Sequence, residues 1–102
     1  MEINSAVNKN NLYIYLSGEL DEYSAKTAKS VIDREIDDNL SVHSVVFDFS
    51  GASFMDSTGI GVLLGRYKKL KKSGIKSYIQ RPSVSINKIL QISGIYDIMP
   101  KI

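Results

Sequence analysis

Residues 11–17, Asn-Leu-Tyr-Ile-Tyr-Leu-Ser, alternate strictly, with Leu12, Ile14 and Leu16 on one side and Tyr13 and Tyr15 on the other. A period of two predicts a strand half-buried against a core. Gly18-Glu19-Leu20-Asp21 reads as a turn. From Ser24 to Asn39 the apolar residues Ala25, Ala28, Val31, Ile32 and Ile36 recur at helical spacing, with Ser24 as the expected N-cap. Residues 43–49, His-Ser-Val-Val-Phe-Asp-Phe, are β-branched and aromatic and predict a second strong strand, followed by a loop over 50–56. A helix is expected from Ser57 or Thr58 to Lys72, with Ile60, Leu63, Leu64, Tyr67 and Leu70 as its apolar stripe. Lysines crowd its last turns, where cations suit the helix dipole, and Ser73-Gly74 ends it. Lys76–Gln80 reads as a short strand, and Pro82-Ser83 opens a helix that points Ile86, Ile89 and Leu90 inward and stops at Gly94. Short strands are expected at residues 2–7, joined to the next by Asn8-Lys9-Asn10, and at Ile95–Met99.

The expected order is β-β-α-β-α-β-α-β. Strands separated by single helices predict parallel pairing, and the opening hairpin makes one edge antiparallel. The fold class is therefore α/β, a mixed and mostly parallel sheet with helices packed mainly on one face, because Tyr13 and Tyr15 leave the other face only partly covered. At 102 residues, 1–102 form a single domain. No cysteine and one histidine, His43, exclude disulfides, thiolate chemistry and multi-histidine metal sites. A net charge of +2 gives no argument for nucleic acid. The polar start Met1-Glu2-Ile3-Asn4 and the lack of a long apolar run predict a cytoplasmic protein with no membrane segment.

The densest chemistry lies in Asp48–Gly61, where a strand ends, a loop crosses and a helix begins at Ser57. Loops at the C-terminal edge of parallel strands commonly carry function, and a helix N-terminus offers free N–H groups and a positive dipole end. Taken alone, Asp56-Ser57-Thr58 is equally what a plain helix cap requires. Competing motifs fit less well. Gly59-x-Gly61 with Gly65 departs from the dinucleotide spacing, and no acid stands near residue 79 or 80. There is no Gly-Lys-Ser/Thr loop, and Met55 stands where a nucleophile elbow needs glycine. Asp56 and Gly59 are too far apart for the aspartic-protease string. Gly61 and Gly65 are expected to let their helix approach the sheet closely. Seven acids fall between Glu19 and Asp38, and seven bases with no acid between Arg66 and Arg81. This asymmetry fits solvated helix faces, or a protein partner of opposite charge, better than a nucleic-acid platform, which would interleave aromatics.

The string Ser53-Phe54-Met55-Asp56-Ser57-Thr58-Gly59-Ile60-Gly61-Val62-Leu63-Leu64-Gly65-Arg66-Tyr67-Lys68 closely resembles the STAS-domain anti-sigma factor antagonists, and its Phe-Met-Asp-Ser and Gly-Arg-Tyr-Lys elements resemble the sporulation members most. Gly18-Glu19-Leu20-Asp21 and Ile92-Ser93-Gly94-Ile95 match two further motifs of that family, so the resemblance covers nearly the whole chain. It implies a binding module with no catalysis and no cofactor. It also implies a partner that is at once an anti-sigma factor and an ATP-dependent serine kinase, and a phosphatase that resets the switch. The unphosphorylated form would bind the kinase and release the sigma factor. By residue match the phosphoacceptor is Ser57, and Glu19, Asp21, Asp56, Thr58 and Gly59 are assigned to the kinase-facing surface. Two alternatives stand beside this: an antagonist in a general-stress pathway, and a small nucleotide- or anion-binding module using the helix N-terminus.

Overall fold

A computed structural model describes all residues, Met1–Ile102. It contains β1 (Glu2–Asn8), β2 (Asn11–Leu20), α1 (Ala25–Asp37), β3 (Ser44–Met55), α2 (Ser57–Lys72), β4 (Lys76–Gln80) and α3 (Val84–Ser93), followed by a 3₁₀ turn at Ile95–Asp97. The strands form one sheet in the order β1-β2-β3-β4. β1 and β2 are antiparallel, joined through Lys9 and Asn10, which both take positive φ (51° and 66°), the conformation of the hairpin turn whose twist matches its strands. β2, β3 and β4 run parallel. This is the expected mixed sheet with one antiparallel edge.

Alternation sorts the side chains. Leu12, Ile14 and Leu16 of β2, Val45, Phe47 and Phe49 of β3 and Ile79 of β4 are buried with Ile32 and Ile36 of α1, Val62, Leu63 and Leu70 of α2 and Ile86 and Leu90 of α3 in one core. Val31, expected inward, is only half-buried. The helices bring their charges together as well. Arg66 of α2 meets Asp33 of α1 and Lys69 meets Asp37, each at 2.9 Å, so part of the acidic and basic asymmetry is neutralised within the fold.

The face without helices is covered by its own side chains. The register places Tyr13, Val46 and Tyr78 side by side on β2, β3 and β4, with Tyr15, Asp48 and Gln80 in the neighbouring row. Val46 is 2% exposed and Asp48 is fully buried, although no helix packs there. Burial acts on Asp48 most strongly and opposes its ionisation, but hydrogen bonds from Ser50 N–H (2.9 Å) and Ser50 Oγ (2.6 Å), with Arg81 and Gln80 on the other oxygen, lower its pKa from 3.8 on balance. The same bonds hold Arg81 at a positive φ of 54° where β4 gives way to α3.

Four expectations are corrected. First, β2 runs through residues 18–20 and β3 through 50–55, so both outlast the turn and loop expected there. Register shifts near Ser17 and Glu19 absorb the irregular residues; Gly51, where a Cβ would strike Ser17 Oγ, is one of them. Second, Ser24 has helical backbone angles and caps no helical N–H. Asp21 takes the role one turn earlier: its Oδ1 accepts from Tyr23 N (2.9 Å) and Ser24 N (3.0 Å). Third, Ile95–Met99 is not a strand. Gly94 in the left-handed region redirects the chain, and Ile95 and Met99 enter the core one turn apart, with Met99 N donating to Ile95 O at 2.8 Å. The only pairing beyond β4 is a bridge between Ile79 and Lys101. Fourth, Gly61 and Gly65 approach nothing, since a Cβ at either would have no neighbour within 4 Å.

Asp48 gives a test. Its pKa is depressed on folding, so its ionised form stabilises the fold above the unfolded-state value near 3.8, and that contribution fades as pH falls through the lower folded value. Asp48→Ala should cost about 2–4 kcal/mol in urea unfolding at neutral pH. The gap to wild type should shrink in acid below about pH 4.

Candidate functional site

The longer strands decide the site geometry. Because β2 and β3 run parallel to their ends, Glu19 lies beside Phe54 and Leu20 beside Met55. Asp56 N donates to Leu20 O at 3.4 Å, tying the chain just before α2 to the end of β2. Residues 19–24 and 54–58 therefore leave the same edge of the sheet, next to each other.

Asp56 is the N-cap of α2, with extended backbone angles of −113° and −170°, and its Oδ1 accepts from Thr58 N at 2.9 Å. Its carbonyl accepts from Gly59 N at 3.0 Å. Ser57 is the first helical residue; it is exposed, and its hydroxyl makes no hydrogen bond. A group attached there would meet the positive end of the helix dipole and N–H groups of the first turn. Thr58 is half-buried.

At the neighbouring end of β2 Glu19 is exposed, and in the turn just beyond it Asp21 is half-buried. One Asp21 oxygen is committed to the turn that starts α1, and Ser24 Oγ closes the loop by donating to Glu19 O at 2.8 Å and accepting from Asp21 N at 3.1 Å. Asp21 thus has a structural duty as well as a charge near Ser57. Gly59 is different in kind: it is buried, and a Cβ there would collide with Met55 Cγ and Sδ and press on Leu20 Cδ2. It seats the first turn of α2 on the paired ends of β2 and β3, and presents no side chain to a partner.

The structure thus brings Glu19, Asp21, Asp56, Ser57 and Thr58 to one edge and places Gly59 beneath them. Sequence reading missed the apolar residues around them. Tyr23 (88% exposed), Phe54 (47%) and Ile92 (87%) stand open near the two loops or on the adjacent face of α3. Only Phe54 carried a sequence signal, since it stands off the alternation of Val45, Phe47 and Phe49.

A family model described as the STAS domain matches residues 2–102. An anti-sigma F factor antagonist of Paenibacillus polymyxa is 34% identical over 89 residues, spanning 87% of this chain and 75% of the relative. An anti-sigma-B factor antagonist of Bacillus subtilis is 31% identical over 101 residues, spanning 97% and 90%. Among solved structures, the anti-sigma factor antagonist SpoIIAA in its unphosphorylated form superposes with a TM-score of 0.80 at 28% identity, over 99% of this chain and 88% of that one. The chain belongs to the STAS-domain family of anti-sigma factor antagonists. These are regulatory binding proteins and not enzymes. No helix here is long and apolar enough to cross a membrane.

Glycine substitutions separate seating from helix propensity. Gly59→Ala should destabilise by about 1–3 kcal/mol through overpacking against Met55. Gly61→Ala, two residues on and open to solvent, should stabilise by about 0.5–1 kcal/mol. Paired urea titrations measure both.

Proposed function

We propose that this chain antagonises an anti-sigma factor that is also a serine kinase, and that phosphorylation of Ser57 switches the binding off. The observation that carries this reading is the exposed, unbonded Ser57 hydroxyl on the first turn of α2, beside the acidic loop of Glu19 and Asp21. An acceptor hydroxyl must be free to enter a kinase site, and this one is. One of the solved relatives is SpoIIAA in a phosphorylated form, which supports the same chemistry here.

The switch follows from electrostatics. A phosphoryl group adds about −1.5 to −2 charges. In the free protein, water and the α2 N-terminus accommodate it. Within a desolvated interface it lies next to Asp56 and near Glu19 and Asp21, where added negative charge is repelled. A penalty of about 4 kcal/mol weakens binding roughly a thousandfold. Glu19, Asp21, Asp56 and Thr58 form the partner-facing surface in this reading, with Gly59 holding it in place. The cycle runs in the cytoplasm, where the kinase uses ATP and a serine phosphatase restores the unphosphorylated form. The sporulation pathway is favoured over the general-stress pathway by the Phe54-Met55-Asp56-Ser57 and Gly65-Arg66-Tyr67-Lys68 strings.

Intact mass after incubation with ATP and each candidate anti-sigma kinase tests this directly. Wild type and Thr58→Ala should each gain one phosphoryl group, and Ser57→Ala none. Uptake that survives Ser57→Ala and is lost in Thr58→Ala would move the site. No uptake from a kinase that is active on its own substrate would overturn the reading.

A further inference from the structure

At the opposite end of α2 is a cleft of about 340 Å³, bounded by Tyr67 and Lys71 of α2, Ile75–Tyr78 at the start of β4, and Ile98 and Pro100 of the C-terminal segment. Fourteen residues of helix separate Lys71 from Ser57, roughly 20 Å along the axis, so the cleft is apart from the phosphorylation surface. Its size falls within the range of small-molecule sites.

Three features on its walls lack partners. The first is the edge of β4. Lys76 N donates to His43 O and so faces β3. Ile79 faces the other way, donating from its N–H to Pro100 O (3.0 Å) and accepting at its carbonyl from Ile102 N (2.9 Å). Ser77, two residues before Ile79, shares that outward direction, but the C-terminal segment pairs only around Ile79. The Ser77 N–H and C=O are left at an open edge. The second is the Ser77 side chain: the residue is 4% exposed, and its hydroxyl is buried without a hydrogen-bond partner. A buried unpaired hydroxyl is destabilising, and native folds keep few of them. The third is charge. Lys71 has no anionic partner, only the Tyr67 ring 5.9 Å from its ammonium, and no acid lines the cleft.

Donors and a cation at one end, with Ile75, Ile98, Pro100 and the Tyr67 ring around them, define an anion with an apolar body. We infer that this cleft binds a small aliphatic carboxylate, its carboxylate taken by Ser77 N–H and Oγ together with Lys71, and its chain laid against Ile75, Ile98 and Pro100. The Ser77 hydroxyl turns about one bond to meet the ligand, which gives it the partner it lacks. Binding there is independent of Ser57.

Hexanoate is the probe, with hexanol as its neutral counterpart, followed in ¹H–¹⁵N spectra of the full chain. Hexanoate should shift the amides of Ile75–Tyr78 saturably, and hexanol should bind at least tenfold more weakly. Ser77→Ala should weaken hexanoate about tenfold, the loss expected of a hydrogen bond to a charged group. Lys71→Gln should weaken it severalfold. Without ligand, Ser77→Ala should unfold at higher urea than wild type, because it removes an unsatisfied hydroxyl. Absence of saturable shifts, equal binding of hexanol, or unchanged affinity in Ser77→Ala would each overturn the inference. A less stable Ser77→Ala would overturn it too, since the hydroxyl would then already have a partner.

Discussion

Parallel pairing of β2 with β3, held out to Leu20 and Met55, is the constraint on which the site depends. It is not an easy pairing to maintain. The ladder slips near Ser17 and again near Glu19, and it continues only because small or flexible residues stand at the irregular places. Gly18 takes a φ of 95°, and Gly51 leaves the space that the Ser17 side chain fills. Beyond the slips, Leu20 and Met55 form a buried apolar shelf, and Gly59 lets the first turn of α2 rest directly on it. The position of the Ser57 hydroxyl is therefore set by core packing, not by the loop that carries it.

Under the proposed switch, that arrangement would let one serine govern binding without disturbing the fold. Several polar groups at the edge are already engaged among themselves. Asp56 caps α2, Asp21 starts α1, and Ser24 closes the turn from Glu19 into α1. Ser57 is exposed on the first turn with its hydroxyl unbonded, so a charge placed there meets solvent and helix N–H groups instead of breaking an existing bond. The rest of the sheet is fixed independently. On the helix-free face the tyrosines close over Val46, and Asp48 gathers Ser50, Gln80 and Arg81.

Most of the fold was legible because it rests on periodicity. The alternation of Leu12, Ile14 and Leu16, the spacing of Ile60, Leu63 and Leu70, and the stops at Gly74 and Gly94 each predicted an element that is present. The failures share a cause: the deciding neighbour is distant in sequence. Residues 50–55 look like a loop, since Ser50-Gly51-Ala52-Ser53 has no strand propensity, yet β2 pairs with them. Ile95–Met99 looks like a strand by composition, but Gly94 and core contacts turn it into a 3₁₀ segment. Of the candidate site, Glu19, Asp21, Asp56, Ser57 and Thr58 were identified and do converge. That Gly59 acts beneath the surface, and that Gly61 and Gly65 face open space, depends on Cβ environments that no spacing rule encodes.

The central claim is that phosphate on Ser57 changes charge at a rigid edge and leaves the packing alone. The most direct test compares amide spectra of the free protein before and after phosphorylation of Ser57. Shifts confined to residues 19–24 and 54–61, with Val45, Phe47 and Ile79 unmoved, are the expected result. Shifts spread through those core strands would contradict it, and the switch would then work by repacking the fold.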